Sequence, residues 1–313
     1  MVQIKISMCN GTLAATASTQ SFANTSDSAV IGMDYANQLS RQFTGPIDQV
    51  RVYNYARTPA QVAYDYNRGK PIAYWKMDEC QGATLNDSSG NGDSGTITIG
   101  ASGTQTALGT CTASSTAWGN GATGKFNSSL NFDGTDDYVD MGDPASGALD
   151  FGTGDFSVSY WGKYISIAAG GVRQVSKRPT SSGAGWSVGL ATTGLLHYRL
   201  DDGTTSVETS FGTGASKIDS SWHHFVFVFN RSGNLQGYID GNLNASVSIS
   251  AISGSVSNTS SFNLNNFNNT GNAKANIQMD DIQAYNYGLT ATQVKNLYNQ
   301  NSSVRFGPSV GTP

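Results

Sequence analysis

The sequence predicts an all-β fold, a jelly-roll sandwich of two antiparallel sheets finished by a short C-terminal helix. Three observations predict it. Short runs that alternate in polarity, or are apolar throughout, recur along the chain between Asp-Gly, Ser-Gly and Gly-Asn turns, the spacing of a sandwich or barrel. The composition agrees: 37 glycines, 14 tyrosines and 13 phenylalanines accompany a charged content of only 13%, about half the ~25% of ordinary soluble domains. One segment near residue 50 also recurs near residue 280, each time as an alternating strand running into a capped helical turn.

The same numbers exclude several classes. A chain of 313 residues is expected to hold roughly two domains. It lacks the helical Ala/Glu/Lys/Leu periodicity of a coiled coil. No apolar run approaches the ~20 residues that span a bilayer as a helix, so no membrane insertion is expected. Eighteen basic against 22 acidic residues give a net charge of −4, without the basic footprint of a nucleic-acid binder. Recurrent apolar and aromatic runs argue against disorder. Met1-Val2-Gln3-Ile4-Lys5-Ile6 reads as a strand rather than a secretory signal. With a composition typical of surface proteins, this suggests a piece of a longer extracellular or cell-surface protein whose export signal lies elsewhere. Of three cysteines, Cys80 and Cys111 share one loop-rich region and are candidates for a disulfide in an oxidising compartment, two unpaired thiols being the alternative. Cys9 is left over.

The repeat sets the domain organisation. With Tyr53 placed over Tyr285, residues 47–67 and 279–299 share Asp48/Asp280, Tyr53-Asn54-Tyr55/Tyr285-Asn286-Tyr287, Thr58/Thr290, Gln61-Val62/Gln293-Val294 and Tyr66-Asn67/Tyr298-Asn299. Asn24-Thr25-Ser26 resembles Asn258-Thr259-Ser260 more weakly. Residues 1–70 are thus expected to be the closing strands and helix of an incomplete copy, residues 71–300 a complete copy, and residues 301–313 a linker or tail. In the first copy Ile47, Val50 and Val52 alternate as a strand, and Thr58-Pro59-Ala60-Gln61 offers an N-cap, a proline at the first helical position and a capping-box glutamine. In the second, Thr290-Ala291-Thr292-Gln293 repeats the box, and Val294, Leu297 and Tyr298 make the stripe that docks the helix. Between them, strands are expected at 72–76, 95–99, 129–132, 138–141, 156–161, 172–176, 186–190, 195–200, 222–229 and 235–239.

Four stretches, taken in order, resemble a laminin-G-like domain of the concanavalin A-like lectin/glucanase superfamily. They are Tyr74-Trp75-Lys76-Met77-Asp78-Glu79 with the loop Asn86-Asp87-Ser88-Ser89-Gly90-Asn91-Gly92; Leu130-Asn131-Phe132-Asp133-Gly134-Thr135-Asp136-Asp137-Tyr138-Val139; Trp222-His223-His224-Phe225-Val226 with Tyr238-Ile239-Asp240-Gly241; and Met279-Asp280-Asp281-Ile282 through Tyr285-Asn286. The resemblance implies a concanavalin A-like jelly roll, secreted, often tandem, often calcium-binding and mostly non-catalytic, with ligands ranging from glycans to proteins. Fold alone does not choose among these.

Calcium takes six to eight hard oxygens. The loop at 86–93 offers Asp87, Asn91 and Asp93, Glu79 ends the preceding strand, and first and last strands of a jelly roll are neighbours. Asp87, Asn91, Asp280, Asp281 and Glu79 are therefore the expected calcium ligands, against the reading that Asp-Ser-Ser-Gly and Asn-Gly only make turns. Asp133/Asp136/Asp137 is a second grouping, which reads better as a hairpin turn. His223 and His224 are adjacent on a strand, so they face opposite ways and cannot share a metal. For catalysis, only Glu79 and Glu208 are glutamates, far apart in sequence, and no strand carries the paired carboxyls of a glycosidase. No Gly-x-Ser-x-Gly elbow, phosphate loop or His-Glu-x-x-His helix appears. Trp118, Tyr164, Trp186 and Tyr198, near Gly/Ser/Thr/Asn-rich loops, are candidate sugar-stacking platforms. The resulting expectation is a non-catalytic extracellular binding or adhesion module of a tandem-repeat surface protein, recognising a glycan or glycoprotein with a structural calcium beside neighbouring repeats; a spacer repeat without a small ligand is the alternative.

Overall fold

The computed structural model describes residues 5–9, 12–17, 31–32, 42–53, 55–168, 173–179, 182–266 and 274–299, with backbone alone at 5–9, 12–17 and 59–60. Asn24-Thr25-Ser26, Asn54, Val172, the 301–313 tail and the Cys9 side chain lie outside the described residues. The chain divides into two compact units, Met1–Tyr66 and Asn67–Pro313.

In the first unit β1 (Lys5–Cys9) and β2 (Thr12–Ala17) form an antiparallel pair. The helix α1 (Pro59–Asn67) begins as expected: Thr58 Oγ1 accepts from the Gln61 amide at 3.2 Å and Gln61 Oε1 from the Thr58 amide at 3.0 Å. Arg57 pairs with Asp65 and covers the Tyr53 ring at 4.4 Å. The strand expected at 47–52 does not form. Its alternation is that of a strand, yet no described segment makes a ladder with it, and a strand exists only through its partner's hydrogen bonds. Ile47, Val50, Val52 and Tyr55 are left exposed. Their counterparts in the second copy, Met279, Ile282, Ala284 and Tyr287, are buried.

The second unit runs β3 (Ala73–Trp75), β4 (Thr84–Leu85), β5 (Gly95–Thr98), α2 (Ala117–Asn120), β6 (Leu130–Asp133), β7 (Tyr138–Asp140), β8 (Phe156–Ile167), β9 (Val175–Lys177) and β10 (Gly185–Leu190). It continues through β11 (Leu196–Asp201), β12 (Ser206–Phe211), β13 (His223–Phe229), β14 (Asn234–Ile239), β15 (Asn242–Ser248), β16 (Phe262–Leu264), β17 (Ala275–Tyr285) and α3 (Ala291–Tyr298). Two antiparallel sheets result. One has the order β15-β14-β13-β8-β17-β3, with β6 also on β17; the other is β12-β11-β10-β9-β16-β7-β5-β4. First and last strands are neighbours, Ala73, Tyr74 and Trp75 lying opposite Ala284, Gln283 and Ile282.

The core lies between the sheets. Phe225, Phe227 and Phe229 alternate inward from β13, while Trp186, Val188 and Leu190 do so from β10. Phe156 bridges them, stacked on Phe229 at 4.2 Å and 5.3 Å from Trp186. Each such buried side chain contributes about 1.5–3 kcal/mol. His223 and His224 face opposite ways, as strand geometry requires: His223 Nδ1 meets Asp240 at 2.7 Å, and His224 Nε2 meets Ser159 Oγ at 2.8 Å. On the His224 side α3 docks, its Tyr298 stacked on Trp161 at 5.6 Å and its Val294 buried. Thr290 and Gln293 complete the second capping box. Cys80 and Cys111 form a disulfide across a Cα separation of 4.9 Å, beside a Cys111 amide to Cys80 carbonyl hydrogen bond of 3.1 Å.

Candidate binding site

The expected calcium ligands do not make a coordination sphere. Asp87 is the hub of its own turn. Its Oδ1 accepts from the Tyr74 and Ser89 amides at 2.9 Å, and its Oδ2 from Ser89 Oγ at 2.7 Å and the Gly92 and Asp93 amides at 3.0 and 3.2 Å. Five donors occupy both oxygens and, despite burial, hold this carboxyl below its ordinary pKa. Asn91 uses its amide as a donor, to the Ile72 carbonyl at 2.6 Å. Glu79 Oε1 accepts from the Asn86 amide at 2.8 Å.

Asp280 and Asp281 sit where β17 bulges against β8, with Asp281 at φ 51°. Asp280 Oδ2 accepts from the Phe126 amide at 2.8 Å, and Asp281 Oδ1 from the Tyr74 hydroxyl at 2.5 Å. Burial, helped by Asp281 and Asp78, pushes the Asp280 carboxyl up to about 8. A perturbed carboxyl of this kind can mark an active site, but Asp280 is fully buried.

The four expected sugar platforms are corrected outright: Trp118, Tyr164, Trp186 and Tyr198 are all buried. Trp118 Nε1 donates to the Gly82 carbonyl at 3.0 Å and the Tyr164 hydroxyl meets that of Tyr160 at 2.9 Å. Trp186 packs on Phe151 and Phe262, and Tyr198 edges onto Phe211 at 5.4 Å. Rings of this size in a sandwich are worth more in the core than on a rim.

Among the described residues, Asp133, Asp136 and Asp137 are the acidic side chains whose oxygens converge, all within 4.8 Å of one another. Asp133 Oδ2 accepts from the Thr104 and Gln105 amides at 2.6 and 3.0 Å, and Asp137 Oδ2 from Gln105 Nε2 at 2.7 Å. Asp136 Oδ2 accepts from the Ser102 amide at 3.0 Å, while its Oδ1 is buried without a partner. Lys274, buried, places Nζ 3.3 Å from the Asp137 carbonyl.

A polar assembly lies on the outer face of the eight-stranded sheet. One row of the register is polar across seven strands: Glu208, Arg199, Ser187, Ser176, Asn263, Asp140 and Thr96. The rows beside it hold Ser206, Asp201 and Gly185, and Ser210, His197 and Gly189. Strand alternation explains the sorting, since Leu196, Tyr198 and Leu200 of β11 fill the core and so turn His197, Arg199 and Asp201 outward.

At the β12 edge these side chains form a charged cluster. Glu208 meets Arg173 at 2.6 Å, Arg199 at 3.0 Å, and Arg178 and His197 at 3.9 Å; Arg199 also pairs with Asp201 at 2.6 Å. Burial works to raise the Glu208 carboxyl, but Arg173, Arg199 and Arg178 outweigh it and its pKa falls. Burial lowers Arg178 to about 10, with Arg199 and Arg173 adding repulsion. Burial likewise lowers His197, against the pull of Glu208. Beside the cluster a polar hollow of about 260 Å³ is lined by Ser182, Gly183, Asp201, Gly203, Thr204 and Ser206. Sequence reasoning missed this site. The alternation Leu-His-Tyr-Arg-Leu-Asp over 196–201 carried a signal, three ionisable residues on one strand face; Arg173, Arg178 and Glu208 come from segments that only folding brings alongside.

The sequence model of the concanavalin A-like lectin/glucanases superfamily, in its third laminin-G form, matches residues 7–63 and 133–295. No curated protein matches the sequence. Among solved structures, the binding domain of Paraclostridial Mosquitocidal Protein 1 aligns with a TM-score of 0.52 and 16% identity, over 74% of this chain and 52% of that one. The binding domain of Botulinum neurotoxin DC in complex with rat synaptotagmin II aligns at 0.52 and 15%, and the same domain in complex with SialylT at 0.51 and 14%, both over 74% and 52%. The chain therefore spans about half the length of these structures, and at such identities the likeness speaks to fold.

Proposed function

Because the chain belongs to the concanavalin A-like lectin/glucanases superfamily, we propose that it is a non-catalytic binding module of a secreted or surface-exposed protein, taking a glycan or glycoprotein at the β12 edge of the eight-stranded sheet. The observation that carries this reading is the outward-facing cluster of Arg173, Arg199 and Glu208 opening on the Ser182–Ser206 hollow. Polar side chains on neighbouring strands, held by the core packing behind them, are the groups that orient a sugar or a polar loop. The matched solved structures are binding domains by name, one in complex with rat synaptotagmin II and one with SialylT, which supports the same class for this chain.

Hydrolysis does not suit the carboxyls. Glu208, held ionised by three arginines, is a poor general acid, and Asp280, which has the raised pKa of one, is sealed from solvent. The calcium that goes with this reading belongs at Asp133, Asp136 and Asp137 rather than at Asp87. There the carboxylates converge and Asp136 Oδ1 lacks a partner, with Lys274 as the competing cation. The duplicated closing segment supports a place in a tandem adhesive array.

The test is a glycan array probed with the whole chain and with Ser206→Trp, an exposed edge change expected to leave stability within about 0.5 kcal/mol. Binding by the parent and its loss in the variant at an unchanged melting temperature is the expected result. Equal binding by the variant moves the site elsewhere, and no binding by the parent favours a spacer.

A further inference from the structure

His223 stands between two carboxylates that belong to different parts of the fold. Its Nδ1 meets Asp240 Oδ2 at 2.7 Å and its Nε2 meets Asp219 Oδ2 at 3.1 Å. Asp240 lies in the turn between β14 and β15 and is fixed there. Its Oδ1 accepts from the His224 amide at 2.9 Å, its own amide donates to the His224 carbonyl at 2.9 Å, and Gly241 beside it lies against Tyr298 of α3. Asp219 belongs to the crossover at 212–222, which carries the chain from β12 in one sheet to β13 in the other. The crossover also reaches the Tyr164 carbonyl through the Ser220 amide at 2.9 Å and the Gly194 carbonyl through the Lys217 amide at 3.3 Å. At its start the Thr213 amide and carbonyl meet the Asn244 side chain at 3.3 and 2.9 Å. Asn244 is in β15, the end strand of its sheet, so the crossover covers part of that edge.

We propose that His223 is a pH-sensitive latch on this crossover: as an imidazolium it clasps Asp219 and Asp240 together, and as a neutral ring it keeps Asp240 and lets Asp219 go. An imidazolium donates from both nitrogens, a neutral ring from only one. The shorter bond, to the better-anchored acid, keeps the remaining proton on Nδ1. The Nε2 lone pair then faces the Asp219 carboxylate and repels it, and Asp219, with 41% of its side chain exposed against 29% for Asp240, has water to turn to. Few other titratable groups act on the ring. Lys217, also on the crossover, is a second cation near both carboxylates. On β8, Gly162 stands opposite His223, and Tyr164 keeps its hydroxyl bonded to Tyr160. The Phe225 ring is 6.2 Å away on β13. The hydrogen bond to Asp240 raises the His223 pKa above 6.5, burial opposes the rise, and Asp219 adds to it. The clasp is therefore whole below pH 6.5 and is lost as pH climbs through the raised value.

Hydrogen exchange of the whole chain between about pH 5 and about pH 9, corrected for intrinsic rates, tests this. Over that range the crossover amides should lose about two- to fivefold in protection, the worth of one partly exposed ion pair. In Asp219→Asn the loss should vanish, because an amide side chain accepts from the imidazolium and donates to the neutral ring. Asp219 is exposed, so this variant should melt with the parent even if His223→Gln, which should also abolish the loss, does not. Equal protection of the parent crossover at both ends of the range overturns the latch, and so does a loss that persists in Asp219→Asn. A neutral His223 ring carrying its proton on Nε2, read by nitrogen NMR, overturns it as well, since Asp240 rather than Asp219 would then be released.

Discussion

Lys177 and Asp143 meet through Nζ and Oδ1 at 2.6 Å, with the lysine side chain only 1% exposed. Lys177 stands in register between Trp186 and Phe262, both core residues, so its stem lies in the apolar layer. Its ammonium is completed by Asp150 at 3.3 Å and by the Asn258 and Ser260 carbonyls at 2.8 and 3.0 Å. Four partners from two loops thus converge on one cation at the end of the sandwich. Lys177→Met is expected to cost about 3–5 kcal/mol, because it strands those acceptors. Asp143→Asn should cost about 1 kcal/mol or less, since Asp143 is partly exposed and the ammonium keeps three partners. Urea unfolding of both variants checks the ratio; equal losses would mean that the lysine is held by Asp143 alone.

The repeat allows one substitution to be made twice. Val52 is 94% exposed and its counterpart Ala284 is 0% exposed, paired between β3 and β8. Val52→Asp should leave stability within about 0.5 kcal/mol. Ala284→Asp places an unpaired charge in the core and should cost more than about 4 kcal/mol. Thermal unfolding of the two variants decides, and a large loss in Val52→Asp would show that residues 42–53 are covered in solution.

This pair also shows how far the sequence could be read. Strands whose inner face is apolar, β8, β10, β11, β13 and β14, were legible from alternation alone. The edge strands β12 and β15 were not, because Ser206–Phe211 and Asn242–Ser248 are mostly exposed and polar, and three-residue β16 is too short to show a period. At 47–52 the pattern was right and the strand absent, since alternation encodes a buried face but a ladder needs a second chain segment. The candidate metal loop was ambiguous for a related reason. Asp-Ser-Ser-Gly-Asn-Gly is what both a cation loop and a self-bonded turn look like in sequence, and only the five donors on Asp87 separate them.

Two buried groups give opposite pH dependences. Asp280 is raised from 3.8 to about 8, so the native state holds a proton that the unfolded chain has released. Its contribution is full at acid pH and declines as pH rises from about 4 towards 8. His224 is lowered from 6.5 to about 3 by burial, so the unfolded chain takes up the proton first. Its contribution is full above pH 6.5 and is lost as pH falls towards 3. Asp280→Asn should flatten the decline on the alkaline side and His224→Gln the loss on the acid side. Unfolding free energies across this range test both, and parallel curves for parent and variants would contradict them.

Calcium discriminates between the two acidic loops. A cation bound only to the native state at a hundred times its Kd adds about 2.7 kcal/mol, a clear rise in melting temperature over the chelated protein. With the ion at Asp133, Asp136 and Asp137, Asp136→Asn should abolish the rise, because of these three it is the carboxylate with an unpartnered buried oxygen. Lys274→Met should enlarge it by removing the competing ammonium. Asp87→Asn should lower stability by about 1–3 kcal/mol with or without calcium, since what it weakens is a set of internal hydrogen bonds. A calcium-dependent rise that survives Asp136→Asn but disappears in Asp87→Asn would return the site to the 86–93 loop. No rise in the parent would leave Lys274 as the only cation this part of the sheet requires.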